Sequence, residues 1–180
     1  MPHVALVKDA AGDPACQILY SDLIRHGFGA AGAPLNFFTA QGARPDILAA
    51  VWHLVRTMLV DGRLPPALKQ MIILAISRQA DCRYCEVVHG HALEQMGVDR
   101  ATIDQCAADP TAASLPATHR EILKFAVRAA RDPDSVDAAA VEALRDLGLD
   151  EGEVVEVLMM VAFTRFVNTW ATVSGIPVDM

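Results

Sequence analysis

Apolar residues in this chain recur at three- and four-residue spacing almost from end to end, and no segment alternates cleanly over more than a few residues. That period belongs to helices, so the chain reads as all-α. With 180 residues, 53% of them apolar, one domain can bury a core without help from disulfides or metals. The longest charge-free apolar stretches, around 71–76 and 157–163, fall short of the roughly 18 residues that cross a bilayer. The opening Met1-Pro2-His3 and the short apolar patch Val4–Val7 do not make a signal peptide. A cytoplasmic protein is therefore expected.

Local signals divide the chain into about eight or nine helices. The first runs over about 16–26 and stops at Gly27, and a short one lies near 35–40. Pro45-Asp46 opens a third. Pro65-Pro66 opens a fourth over 67–80, where proline's missing N–H costs nothing. Met71, Ile72, Ile73, Leu74 and Ile76 make that helix apolar nearly all round, which predicts a place in the middle of the core. Asp81 is the expected cap for a helix from Cys82 to Met96, and Asp99 for a short one through Cys106. Thr118-His-Arg-Glu121 and Asp150-Glu-Gly-Glu153 read as capping boxes opening helices at about 119–131 and 151–172, with another at about 136–147 between them.

These devices repeat. A 50-residue shift lays Pro66-Ala67 on Pro116-Ala117, Ile72 on Ile122 and Arg78 on Arg128. One residue further, Gly97-Val98-Asp99 falls on Gly148-Leu149-Asp150. The reading is a degenerate internal repeat of a helical hairpin. The second copy carries Asp132, Ser135 and Ala139 where the first has Cys82, Cys85 and His89.

Charge follows the same division. Residues 1–90 are close to neutral at +1 and residues 91–180 carry −8, giving the net −7. A surface of that sign repels phosphate backbones and anionic lipid, so neither nucleic acid nor a membrane is an expected partner.

Of four cysteines, Cys16 and Cys106 stand alone and read as small apolar fillers. Cys82 and Cys85 form a C-x-x-C, followed four residues later by His89. At 100° per residue, Cys82, Cys85, His89 and Glu86 share one helix face about 100° wide. Two thiols one turn apart can cycle between dithiol and disulfide without refolding. A helix N-terminus favours thiolate, and His89 at i+4 from Cys85 can take its proton. The parts are those of a thiol nucleophile, a base and a resolving thiol. Cys82, Cys85 and His89 are also potential zinc ligands, though no second ligand pair is visible, and a set of inert buried cysteines beside a core histidine is the third reading.

The stretch Leu64-Pro-Pro-Ala-Leu-Lys-Gln-Met-Ile-Ile-Leu-Ala-Ile-Ser-Arg-Gln-Ala-Asp-Cys-Arg-Tyr-Cys-Glu-Val-Val-His89 resembles the core motif of the alkylhydroperoxidase D-like proteins. These form part of the carboxymuconolactone decarboxylase superfamily, and the chain is most similar to its peroxidase-related branch. The resemblance covers about 45–105, with flanking helices of similar order and length. It implies an all-helical homo-oligomer, trimer or hexamer, that reduces a small-molecule hydroperoxide through the cysteine pair and is itself reduced by an external thiol. By this resemblance Cys85 attacks the peroxide, Cys82 resolves and faces the reductant, and His89 belongs to a proton relay. No metal, haem, flavin or other cofactor is implied.

One position departs from the family pattern. The relay glutamate belongs twelve residues before Cys82, and Gln70 stands there. An amide can hydrogen-bond but cannot take up a proton. Glu86 is the substitute carboxylate on geometry, with an ordinary surface glutamate as the alternative. Tyr84 occupies the place of a second histidine in some relatives and is a hydrogen-bond donor or a packing residue. The alternative functions are a non-catalytic redox-responsive protein and a zinc-binding member of the same fold. Asn168, inside an apolar helix, is expected to bond across to a loop or a second subunit. Trp52 and Trp170 are candidates for either the core or a subunit interface.

Overall fold

The computed structural model describes residues 1–10, 12–111 and 114–179. Nine α-helices are found among them: α1 (Pro14–Arg25), α2 (Asn36–Thr39), α3 (Pro45–Leu59), α4 (Pro66–Gln79), α5 (Arg83–Gln95), α6 (Arg100–Ala108), α7 (Ala117–Arg131), α8 (Ala138–Asp146) and α9 (Glu151–Ser174). The chain is all-α as expected, with one addition. Gly29–Ala30 (β1) and Ala33–Pro34 (β2) pair antiparallel in a minimal hairpin. Its two turn residues, Ala31 at φ 50° and Gly32 at φ 81°, both take positive φ, the requirement of a two-residue turn matched to strand twist. Strands of two residues are too short to show alternation, so the period test could not find them.

α4 occupies the centre, packed against α5, α6, α7 and α9. Its burial extends beyond the apolar residues to Lys69, Gln70 and Ser77. The Lys69 ammonium lies 3.6 Å from the Glu156 carboxylate of α9, and both side chains are buried. Glu156 also accepts the backbone N–H groups of Arg63 and Leu64 at 2.6 and 3.1 Å. One carboxylate thus joins α9, the loop before α4 and α4 itself. Removing either partner would leave a buried charge unanswered.

The repeated devices recur in three dimensions. Gly97 at φ 81° and Gly148 at φ 93° end α5 and α8, where a side chain would be strained. Asp99 then caps α6 through the Thr102 amide, and Asp150 caps α9 through the Glu153 amide in a complete capping box. Two expected caps are corrected. α7 begins at Ala117 behind Pro116, with no side-chain cap, so Thr118 already lies inside the helix. Proline sets the start there before threonine can. Asp81 does not cap α5: it takes φ 52° in the tight turn after α4, and Cys82 is the N-cap residue. Aspartate tolerates that left-handed conformation better than most residues.

α9 carries 24 residues with a hydropathy of 1.3, enough by length and composition to cross a membrane. Counting charge-free stretches overlooked it, because its apolar residues continue past Glu156 and Arg165. Half of that stretch is buried inside the fold, against α4 and α7.

Candidate active site

The turn between α4 and α5 delivers the two thiols. Cys82 Sγ and Cys85 Sγ lie 3.0 Å apart, both thiols are free, and both residues are only 2% exposed. At that separation the two thiols hydrogen-bond, and the titration of each depends on the other. The hydrogen bond from Cys85 pulls Cys82 below the usual thiol range, against the opposing effect of burial. The Thr172 hydroxyl assists in the same direction. The same contact, with burial, pushes Cys85 up. Cys82 sits at the amino end of α5, where the dipole favours negative charge.

One turn beyond Cys85, His89 Nδ1 lies 2.5 Å from the Oε1 of Gln70. An amide oxygen only accepts, so Nδ1 carries the hydrogen and Nε2 is left as the bare ring nitrogen. Burial lowers the imidazole to about 4, which keeps it neutral at physiological pH. The two positions that the family resemblance pairs are therefore in contact, with a neutral partner where the family pattern has a charged one.

A small apolar cavity of about 50 Å³ ends on Cys85 and His89, walled by Phe37, Val55 and Phe163 among others. Cys82 does not line it. A wider groove of about 490 Å³ lies outside, between the β1–β2 hairpin and α5, with Gln70 and His89 in its wall. Phe28, Leu35, Leu59, Val88 and His89 line both spaces. These five residues form the common wall of the two spaces.

Residues 45–114 match the carboxymuconolactone decarboxylase family. An alkylhydroperoxidase AhpD core structure, an uncharacterized peroxidase-related protein from Ralstonia eutropha JMP134, is 26% identical at a TM-score of 0.85. That likeness covers 99% of this chain and 92% of the other. By this match and the shared fold the chain is similar to the alkylhydroperoxidase D-like proteins of the carboxymuconolactone decarboxylase superfamily. A second peroxidase-related protein, from Silicibacter sp. TM1040, shares the fold at 21% identity and TM-score 0.85, covering 98% of this chain and 91% of that one. The debrominase Bmp8, solved with 2,3,4-tribromopyrrole, shares the fold at 20% identity and TM-score 0.80, covering 99% and 94%. No curated protein matches.

Within this superfamily frame the remaining expected residues divide. The Glu86 carboxylate pairs with Arg78 of α4 at 3.2 Å and makes no contact with His89. It is a partly exposed helix glutamate whose charge raises both thiols. Tyr84 is buried, and its hydroxyl donates to the Asp179 carboxylate at 2.7 Å and accepts the Phe37 amide at 3.2 Å. It anchors the chain's last residues beside the cavity. Cys82, Cys85 and His89 do not gather as a ligand set, and among the described residues no three His, Cys, Asp or Glu side chains do.

Cys106 is buried, and burial pushes its thiol up to about 12. Cys16 is buried too. Asn168 reaches a neighbouring helix and not a loop: its Oδ1 accepts the Ser77 hydroxyl of α4 at 2.8 Å. Trp52 donates to Asp22 at 2.7 Å, and Trp170 to the Phe37 carbonyl at 3.3 Å. Sequence reasoning missed Ser77, Thr172 and Asp179. The first two flank the sulfurs through α4 and α9. Only Ser77, on the buried α4, carried such a signal; Thr172 is an exposed residue of α9.

Proposed function

We propose that this protein is a two-cysteine peroxidase for organic hydroperoxides. The observation that carries the reading is the apolar cavity that ends on Cys85, with the Cys82 sulfur 3.0 Å behind it. Access selects Cys85 as the attacking sulfur, although Cys82 holds the thiolate at rest. As peroxide approaches, the Cys85 proton crosses the short contact to Cys82. The Cys85 thiolate attacks the terminal oxygen, the O–O bond breaks, and the alkoxide takes the proton from Cys82 to leave as an alcohol. Cys82, again a thiolate, displaces hydroxide from the Cys85 sulfenic acid and closes the disulfide. An external thiol restores the dithiol. In this scheme Cys82 is the internal base, and His89 Nε2 is a weak secondary acceptor that orients the cavity wall. The chain is expected to assemble as a trimer or hexamer, for which the exposed Val155, Leu158, Met159, Phe166 and Val173 of α9 supply an apolar face.

The test is a titration of reduced protein with an alkyl hydroperoxide, followed by thiol counting and mass mapping. Two thiols should be lost per chain in a single Cys82–Cys85 link. Cys85→Ser should abolish the reaction, whereas Cys82→Ser should stop at a sulfenic acid on Cys85. Survival of the wild-type thiols in excess hydroperoxide would sink the reading. Gln70 favours a second one. Without a charged relay, turnover could be slow enough for the disulfide state itself to be the output, and steady-state assay with a dithiol donor separates sensor from enzyme.

A further inference from the structure

A second groove lies where the helix before the thiol pair ends. It holds about 260 Å³ between the carboxyl end of α4, the carboxyl end of α7 and the flank of α9. Arg131 and Arg165 line it and no carboxylate does. Neither arginine has an ion-pair partner among the described residues, although this half of the chain carries the −8. Arg131 complements the carbonyl end of α7; Arg165, in the middle of α9, has no such duty. Asn168 also lines the groove, is 5% exposed, and keeps a buried Nδ2 with no acceptor. Two cations and an unused amide donor converge there, the donor set of a carboxylate site.

The groove leads to one sulfur. Arg165, Asn168, Thr169 and Thr172 follow i, i+3, i+4, i+7 spacing, so they share one face of α9. Thr172 favours the Cys82 thiolate, and the Asn168 carbonyl lies 3.9 Å from Cys82 Sγ. From Arg165 to Thr172 is about 10 Å along the helix, less the reach of the arginine side chain. The apolar cavity is thus lined by Cys85, and this cationic groove by Asn168, whose carbonyl neighbours Cys82.

We propose that the groove docks the reductant, a small thiol bearing a carboxylate several bonds from its sulfur. This rests on the two-cysteine reading above. The docked thiolate attacks Cys82, the Cys82–Cys85 bond breaks, and Cys85 departs and takes a proton. A second thiolate then attacks the reductant's sulfur in the mixed disulfide and releases Cys82 as thiolate. Two thiols are oxidised to one disulfide, and the protein disulfide is reduced to two thiols.

The experiment forms the protein disulfide with diamide, so that it does not depend on peroxide chemistry. Reduction is then timed with 3-mercaptopropionate, 2-mercaptoethanol and cysteamine, each normalised to its rate with hydroxyethyl disulfide. The anionic thiol should lead the cationic one by about tenfold at low salt. Arg131→Gln/Arg165→Gln should bring that ratio near one while leaving the neutral thiol's rate unchanged. No anionic preference in wild type, or a preference that survives the double variant, overturns the proposal. If diamide forms no disulfide, the two-cysteine reading fails by itself. The groove is then judged by alkylation of Cys82 in reduced protein, where iodoacetate relative to iodoacetamide must fall in the double variant.

Discussion

The two hairpins of the repeat share their punctuation and differ in their interior. α4–α5 and α7–α8 both follow a proline and end on a positive-φ glycine, and both precede an aspartate cap. Yet α4 is buried on every side, whereas α7 buries one face through Ile122, Leu123, Phe125, Ala126 and Ala129. α5 lies closely along α4, while α7 and α8 stand apart around an open groove of about 460 Å³. Asp132 and Ser135 occupy the exposed connection between them, and Ala139 is exposed as well. The copy whose first helix is central buries its thiol positions, and the other leaves the equivalent positions exposed, so position in the fold, more than the local motif, separates the two copies.

That contrast can be broken or sharpened by paired substitutions. The largest effect is expected at Lys69, whose counterpart fifty residues on is the half-buried His119. Lys69→Ala strands Glu156 and should cost about 3–5 kcal/mol in urea unfolding. His119→Ala should cost under about 1 kcal/mol. Equal losses would mean that the copies are not energetically distinct.

The next effect concerns His89, lowered by burial to about 4 against an unfolded value of about 6.5. Between those values the unfolded chain binds the extra proton, so stability falls as pH drops through that window. The loss should reach about 3 kcal/mol by pH 4. His89→Phe should remove that part of the slope, and denaturation of both proteins at pH 7 and 4.5 measures it.

Smaller again is Gln70→Glu, which places a charged acceptor on His89 Nδ1. It should raise His89 toward its ordinary value and speed peroxide consumption by about tenfold. The gain would come from making His89 a proton acceptor beside Cys82; an unchanged rate with a raised His89 would leave Cys82 as the sole base. The smallest effects test what the copies have in common. Gly97→Ala and Gly148→Ala should each cost about 1 kcal/mol, equally within error.

Local devices were legible because their physics is local. The Asp99 and Asp150 caps, the glycine stops and the central place of α4 follow from residues within a turn or two of each other. Gln70 and His89 stand on different helices and were legible as a pair only through the family resemblance, which puts the relay position twelve residues before Cys82. Thr118 failed because a capping pattern is outcompeted by Pro116 two residues earlier. Asp81 failed because the turn's φ, not its side chain, is what the fold uses. The rest depends on contacts that no local pattern encodes. Asp179 meets Tyr84 across 95 positions and Asn168 meets Ser77 across 91. The cationic groove exists only once α4, α7 and α9 are brought together.

Asp179 has a practical consequence. It accepts hydrogen bonds from the Tyr84 hydroxyl and the Asn36 amide, while Asn36 Nδ2 donates to the Pro177 carbonyl at 3.1 Å. These residues brace α2 and the residue next to Cys85. A change at Asp179 therefore reaches the wall of the cavity through Tyr84. Variants at this position should be compared as though they carried an active-site substitution.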